Sequence, residues 1–242
     1  MGPPASPAFA RLSGLSEAER EVLAAAFSGR EVAPRRSDII RHEDAAAGVA
    51  LLLKGCACAS VTLPNGRRQI VHIILPGDFC DLARVFSNDT GLDIRATTVC
   101  TIARASGETL RAMLATYPSI ALALWERTVQ ELNLLRTSVA CIGQLSAPAR
   151  TAHLLCEIFL REREAGLCRD GECPFTLTQA DLAEALGLSV VQVNRILQDF
   201  RAAGFLSLTM RILQIKDFAQ LASIGEFSPT YLPNVSPLRR RA

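Results

Sequence analysis

The pattern of apolar and polar positions along residues 31–105, short β-rich runs divided by turn-forming sequences, predicts β-strands. The runs VALLLKGCACASVTL, RRQIVHIIL and ATTVCTIARA are rich in β-branched and small apolar residues. Several short strands at this spacing are typical of a small antiparallel sandwich or barrel. Asn65-Gly66 also predicts a tight hairpin, because both residues tolerate positive φ. The turn-forming sequences between the runs are Lys54-Gly55, Pro64-Asn65-Gly66 and Pro76-Gly77.

The pattern changes to a helical one over residues 117–143, where apolar positions recur at alternating steps of four and three. This is the spacing of a coiled-coil seam. Such a helix is about 40 Å long, at 1.5 Å per residue, which is longer than a small sandwich can cover. We therefore favour a dimer seam over the alternative, a stripe packed on its own domain. The stripe comprises Ala121, Trp125, Thr128, Leu132, Leu135, Val139 and Ile142, and the last six are the predicted dimer interface.

Two capped helices are predicted to meet at Gly187. Thr178 and Ser189 are N-cap residues, and the connection between the helices is too short for antiparallel packing, so the pattern predicts a helix-turn-helix. A plain helical hairpin is the alternative. The strand pair predicted over residues 205–215 fits a wing beside the motif. A further helix, opened by Ser146-Ala147-Pro148, is predicted to precede the motif and to end near Gly166.

The second helix of this motif presents a surface suited to the DNA major groove. Arg195 can bond guanine O6 and N7 together, and Val190 or Val191 can contact a thymine methyl group. Gln192 has two interpretations: it bonds adenine, or it closes a capping box with Ser189. Ser189 is interpreted as a cap that also reaches a phosphate. The candidate DNA contacts are Thr178, Gln179, Ser189, Val190, Val191, Gln192, Asn194 and Arg195.

Composition and charge narrow the class of protein. A chain of 242 residues with 49% hydrophobic content can form two domains with real cores. Residues 178–216 hold four basic and three acidic residues, so one subunit should bind DNA poorly, and a dimer doubles the contacts. No apolar run approaches the roughly 18 residues that span a bilayer, and the N-terminus lacks the pattern of a secretory signal. We expect a cytoplasmic protein without a membrane partner.

The eight cysteines are scattered and include no CxxC pair, which argues against a zinc ribbon or a compact iron–sulfur motif. His42, His72 and His153 are also far apart, so neither a metal site nor catalytic residues are predicted, and we do not expect an enzyme.

Cys168 and Cys173 flank Asp170-Gly171, which favours a two-residue type I′ turn. The two cysteines then face each other at a position where Cα atoms lie about 4.5 Å apart, the short edge of disulfide geometry. They form a candidate redox pair. The alternative, two thiols that never pair, is favoured for a reducing cytoplasm.

The order of these elements resembles the Crp/Fnr family of bacterial transcription regulators. The resemblance covers about residues 10–226, and its most specific parts are LPNGRRQIVHIILPGDF and LTQADLAEALGLSVVQVNRILQDFRAAGFL. It implies an α+β fold: a cyclic-nucleotide-binding-type β jelly-roll, a long dimerisation helix and a winged helix-turn-helix. The implied divisions are residues 1–115 for the sensor domain, 116–144 for the dimerisation helix, 145–227 for the DNA-binding domain and 228–242 for a flexible tail.

The resemblance also implies a function. We expect a homodimer that regulates transcription by binding double-stranded DNA at a palindromic site and by acting on RNA polymerase. The alternative is a sensor module for a cyclic nucleotide or other ligand, with a helix-turn-helix that contacts protein.

The sensor domain departs from the family's best-known members. Nucleotide-binding members carry a Gly-Glu pair after the turn that corresponds to Pro76–Phe79, and here the pair is absent. Arg95-Ala96-Thr97 has the composition of their phosphate-binding motif in a different order. No cysteine precedes Cys56, so the N-terminal cysteine group of the iron–sulfur members is missing. Cyclic AMP is not expected to bind, and the effector or cofactor is unknown.

Overall fold

The computed structural model describes residue 9 and residues 12–44, 48–87 and 90–232. The chain divides into two compact units between Glu131 and Leu132. The helices are α1 (Glu17–Ala26), α2 (Gly107–Thr116), α3 (Pro118–Gln144), α4 (Ala147–Glu164), α5 (Gln179–Leu186), α6 (Val190–Ala202) and α7 (Phe218–Ile224). The strands are β1 (Gly29–Ala33), β2 (Asp38–Ile40), β3 (Val49–Lys54), β4 (Ala57–Thr62), β5 (Arg68–Ile74), β6 (Phe79–Cys80), β7 (Asp93–Ala96), β8 (Cys100–Ala105), β9 (Glu172–Pro174), β10 (Leu206–Thr209) and β11 (Ile212–Ile215).

The first unit is a sandwich of two four-stranded antiparallel sheets, with strand orders β1-β8-β3-β6 and β2-β7-β4-β5. β3 is buried on both faces, which explains its continuous apolar run. Ala50 and Leu52 belong to the core between the sheets, while Val49 and Leu51 pack in a second core with Leu23, Leu110, Ile120 and other helical residues. This architecture confirms the predicted jelly-roll class.

The Asn65-Gly66 hairpin forms between β4 and β5, but its turn differs from the tight one that the sequence predicts. Among these residues only Gly66 has a positive φ, of 79°. Its amide donates to the Leu63 carbonyl at 2.8 Å, and the Leu63 amide donates to the Arg67 carbonyl at 2.8 Å. Pro64, whose ring fixes φ near −65°, suits the first central position of such a turn. Asn65 instead accepts the Arg67 amide through Oδ1 at 3.0 Å.

The second unit surrounds the buried α4 and includes a three-stranded sheet of order β10-β11-β9. The turn before β9 is the predicted type I′ turn, with φ of 51° at Asp170 and 80° at Gly171. Arg169 and Glu172 exchange both backbone hydrogen bonds, at 2.9 and 2.8 Å.

Cys168 and Cys173 are the next facing pair of this hairpin, and a disulfide joins them. Their Cα atoms are 4.2 Å apart. The favoured expectation of two unpaired thiols therefore differs from the structure, because the narrow non-hydrogen-bonded site brings the two side chains together.

The predicted flexible tail begins at residue 228, but the structure holds the first part of this segment against α4. Pro229–Tyr231 form a 3-10 turn. The Tyr231 hydroxyl donates to Glu157 Oε2 at 2.9 Å and lies 2.9 Å from His153 Nε2. Leu232 is buried. The aromatic ring and its buried polar partners explain the ordered contact; residues 233–242 lie outside the described part.

No helix in the described ranges is both long and apolar enough to cross a membrane.

Candidate nucleic-acid interface

Side-chain caps define both helices of the α5–α6 motif. Thr178 Oγ1 accepts the Asp181 amide at 3.1 Å, and the Asp181 carboxylate accepts the Thr178 amide at 2.8 Å. Gly187 ends α5 in the left-handed region, at φ 62°. Because a Cβ is costly there, glycine is the residue that allows the sharp turn. One residue separates Gly187 from Ser189, which caps α6.

The two helices pack through apolar residues at helical spacing. Leu182, Ala183 and Leu186 of α5 are buried, as are four residues of α6 at helical spacing. Those four are Val193, Ile196, Leu197 and Phe200.

The opposite face of α6 remains open. The exposed fractions of Val190 and Val191 are 46% and 78%. Arg195 is exposed one turn further along, and within the described residues its guanidinium pairs with no carboxylate. An unpaired cation and two apolar side chains on one open face match the chemistry of guanine edges and thymine methyl groups.

Several polar candidates already have partners within the protein. Gln192 Oε1 accepts the Ser189 amide at 2.9 Å, and the Gln192 amide donates to Ser189 Oγ at 3.2 Å, so the capping-box interpretation holds in the free chain. Asn194 Nδ2 donates to Gln179 Oε1 at 3.0 Å and links α6 to α5. These side chains are positioned by the motif itself.

Two regions near the motif were not among the predicted contacts. Gln198 is exposed three residues after Arg195, on the same face of α6. Helical spacing alone could have identified it. The β10–β11 hairpin is the predicted wing, and its tip consists of Met210 and Arg211 at φ 48° and 63°. Met210 is 91% exposed, and the sequence carried no glycine or asparagine to mark this tight turn.

The predicted seam on α3 is exposed in the single chain along most of its length. Trp125, Leu132, Val139 and Ile142 are 64%, 40%, 72% and 36% exposed, while Thr128 and Leu135 are half-buried. Sequence reasoning missed Leu122 and Val129, which are 60% and 38% exposed beside Ala121 and Thr128. The apolar surface is therefore wider than a strict heptad seam. Its extra members stand one position after the predicted ones, where a broader stripe would include them.

In the segment after the Pro76–Phe79 turn, the charged side chains bond to other groups of the protein itself. The buried Arg84 guanidinium donates to the carbonyls of Asp44 at 2.7 Å and Arg41 at 2.9 Å, and its Nε lies 3.4 Å from Asp81 Oδ2. Asp81 also accepts a hydrogen bond from Thr90. Burial raises the pKa of the Asp81 carboxyl, against the opposing effects of Thr90 and Arg84.

Other cations of this unit are paired as well. Arg95 is on the outer side of β7, 48% exposed, and its Nε lies 2.9 Å from Asp38 Oδ1. Arg127 of α3 lies 2.7 Å from Asp78.

Comparisons with known proteins agree on both units. Residues 149–224 match the family model of the Crp-like helix-turn-helix domain, and residues 30–117 match that of the cyclic nucleotide-binding domain. The chain is 30% identical over 191 residues to the transcriptional activator protein FnrL of Cereibacter sphaeroides, covering 76% of each chain. It is 27% identical over 188 residues to the nitrogen fixation regulation protein FixK of Azorhizobium caulinodans, covering 76% of this chain and 73% of the relative.

A solved structure shares the fold. FixK2 from Bradyrhizobium japonicum superposes with a TM-score of 0.73 at 22% identity, covering 81% of this chain and 96% of that one. The β-sandwich and the winged helix-turn-helix thus match the two family models, and the fold matches that of FixK2. The chain belongs to the Crp/Fnr family of DNA-binding transcription regulators.

Proposed function

We propose that this regulator acts as a homodimer that reads a palindromic DNA site with two copies of α6. The observation that carries the proposal is the open face of α6, where Val190, Val191 and the unpaired Arg195 stand opposite a fully buried face. A helix held this way by its partner can enter the major groove while its scaffold stays outside.

The exposed stripe on α3 supports the dimer. Trp125, Leu132, Val139 and Ile142 present apolar surface over most of a 27-residue helix, and single proteins rarely leave so long a stripe uncovered. A two-fold pairing of α3 with its copy covers this stripe and places two α6 helices on one duplex. It also doubles the phosphate contacts of a weakly charged domain.

Within each α5–α6 motif, caps included, the proposed roles differ by side chain. Arg195 reads guanine, and Val190 or Val191 contacts thymine. Ser189 and Thr178, as cap residues, contact phosphates, since the N-terminus of a helix attracts anions. Gln179 and Asn194 hold each other and set the angle between the helices. Gln192 reaches adenine only if DNA displaces it from its capping bond to Ser189.

We further propose that cyclic AMP is not the effector. Support comes from the absent Gly-Glu pair, from Arg84 enclosed by its own carbonyl and carboxylate partners, and from Arg95 paired with Asp38 on the outer side of the sheet. RNA polymerase is the proposed protein partner, on the ground of family membership alone.

Selection of binding sites from random duplexes, with sedimentation of the selected complex, tests this function. We expect two inverted half-sites whose centres are about 10–10.5 base pairs apart, or a multiple of that spacing, bound by two chains. Selection of one unpaired half-site by a single chain would contradict the proposal. Failure to enrich any sequence at moderate salt would contradict it too.

A further inference from the structure

The Cys168–Cys173 disulfide lies beside a buried carboxyl group on α4. The Sγ atoms of the two cysteines and a carboxylate oxygen of Glu162 all lie within 4.8 Å of one another. Glu162 is 3% exposed, and its Oε2 has no hydrogen-bond partner in the described part of the chain. Burying a carboxyl oxygen without a hydrogen-bond donor costs free energy of folding. A specific role for Glu162 beside the disulfide would explain why the protein keeps it there.

The environment of Glu162 favours its neutral form. Burial raises the pKa of this carboxyl to about 8, and Arg161 on the same helix is the charged group that opposes the rise. The hairpin that packs against α4 contributes the two cysteines at this point, and its charged residues Arg169, Asp170 and Glu172 are exposed. Near neutral pH, Glu162 therefore carries a proton that it can donate.

The two cysteine residues differ in exposure. Cys173 is fully buried, whereas Cys168 is partly exposed. An incoming thiolate can therefore reach Cys168, and the sulfur that leaves is the one in the dry interior. A thiolate released there is poorly stabilised unless a proton donor is at hand.

We propose that Cys168, Cys173 and Glu162 form a thiol–disulfide exchange site, reduced by dithiols, in which Glu162 protonates the departing Cys173 sulfur. The thiolate of the dithiol attacks Cys168 Sγ, the S–S bond breaks, and Cys173 leaves with the bonding electrons and takes the proton of Glu162. The second thiol of the reductant then attacks the mixed disulfide and releases Cys168 as a thiolate, which solvent protonates. The proton of that second thiol returns to Glu162. The reductant ends as a disulfide and the protein as two thiols.

The remaining cysteines of the same unit serve as internal references for reactivity. Burial raises the pKa of the Cys141 thiol to about 11 and that of the Cys156 thiol to about 12. Neither should exchange at neutral pH, because the thiolate is the reactive form.

The first test compares the rates at which dithiothreitol reduces the disulfide in the full-length parent and in Glu162→Gln. Taking the ratio of the two rates at each pH cancels the ionisation of the reductant. We expect the parent to be about tenfold faster near pH 6.5, as for a general acid, and this advantage to disappear by about pH 9.5. Glu164→Gln, which alters an exposed glutamate two residues away, should match the parent at every pH.

The second test identifies the attacked sulfur with two variants, Cys173→Ser and Cys168→Ser, each of which keeps one cysteine of the pair. A small aromatic disulfide should label Cys168 in the first variant at least about tenfold faster than Cys173 in the second, because access limits exchange. Urea unfolding should abolish that difference, which shows that both thiols remain competent.

Three results would overturn the proposal. The first is a parent-to-Glu162→Gln ratio that stays constant with pH. The second is faster labelling of Cys173 than of Cys168 in the folded variants. The third is stoichiometric binding of zinc by the reduced parent that is lost in Glu162→Gln, since two thiolates and a carboxylate are also zinc ligands and the site would then hold a metal.

Discussion

At the scale of single residues, the side chains of the candidate interface fall into two groups. Some already bond to partners within the protein, and others are exposed and have no such partner in the described part of the chain. Gln192, Asn194 and Gln179 bond within the motif, whereas Arg195 has no carboxylate partner among the described residues. A group without an internal partner can bind a base edge without first losing a bond. Arg195 is therefore the residue to which we assign most of the sequence discrimination.

Replacing Arg195 by alanine should weaken binding to the selected site by about 1–3 kcal/mol and relax the preference at one base position. Arg169→Ala removes the same charge from an exposed turn of the same unit and serves as the control. Titration of matched and singly substituted duplexes measures both effects. An equal loss on random DNA would instead make Arg195 a phosphate contact.

Gly187 determines the turn between the two motif helices at the backbone level. A Cβ built there meets nothing within 4 Å, so the cost of Gly187→Ala comes from the positive φ alone. We expect a loss of about 1–2 kcal/mol in the free energy of unfolding, and a smaller loss for Gly187→Asn. Denaturant unfolding of the three proteins measures this order, and an unchanged stability of the alanine variant would contradict it.

At the scale of elements, one helix carries two different kinds of surface. The first turns of α3 bury Ile120, Ala123 and Leu124 in the core of the first unit. Beyond them the helix exposes Trp125, Leu132 and other apolar residues that no described part of the chain covers. In an isolated β-sandwich this apolar surface would stay in contact with water. We therefore assign it to packing against a second copy of the chain.

Leu132→Arg should place two like charges at the apolar axis of the proposed dimer and cost several kcal/mol of association. We expect this variant to sediment as a monomer at concentrations where the parent is a dimer. Ala140→Arg adds the same charge off the predicted stripe and should remain dimeric. A Leu132→Arg protein that sediments like the parent would show that the seam is wrong.

The contact of Tyr231 with α4 is a second element-scale feature. Tyr231→Phe removes the hydroxyl that bonds Glu157 and lies against His153, and leaves both polar groups buried without that partner. We expect the free energy of unfolding of the second unit, measured by thermal denaturation, to fall by about 1–3 kcal/mol. Tyr117→Phe is the matched control, since no hydrogen bond of the Tyr117 hydroxyl is found in the described residues. Equal stabilities of the two variants would contradict a structural role for this hydroxyl.

At the scale of the whole molecule, the prediction concerns the signal. Saturating cyclic AMP should leave the melting temperature of the protein unchanged. A ligand at 100 times its Kd would add about 2.7 kcal/mol, which is a shift of several degrees and easily detected. Differential scanning calorimetry with 5′-AMP as the control nucleotide measures this. A rise specific to the cyclic nucleotide would overturn the proposal that Arg84 and Arg95 are committed elsewhere.

Many of the helix caps, turns and helix boundaries of this protein depend on local interactions, and these could be predicted from the sequence. The caps at Thr178 and Ser189, the left-handed Gly187 and the type I′ turn at Asp170-Gly171 all depend on groups within a few residues of each other. Such interactions form in the same way wherever the segment lies. The helix-turn-helix, the hairpins and the seam spacing on α3 followed from them and from apolar periodicity.

Only the tertiary structure decided which groups meet across long separations. It placed Glu162 of α4 beside Cys168 and Cys173. It also brought the Tyr231 hydroxyl to His153, and it paired the Arg84 guanidinium with carbonyls of the segment around Arg41. It also showed that Leu122 and Val129 widen the exposed stripe. No periodicity encodes these contacts, because each depends on how separate elements pack in three dimensions. A sequence pattern reports the local preference of an element, while its packing partners decide which of its side chains remain free to act.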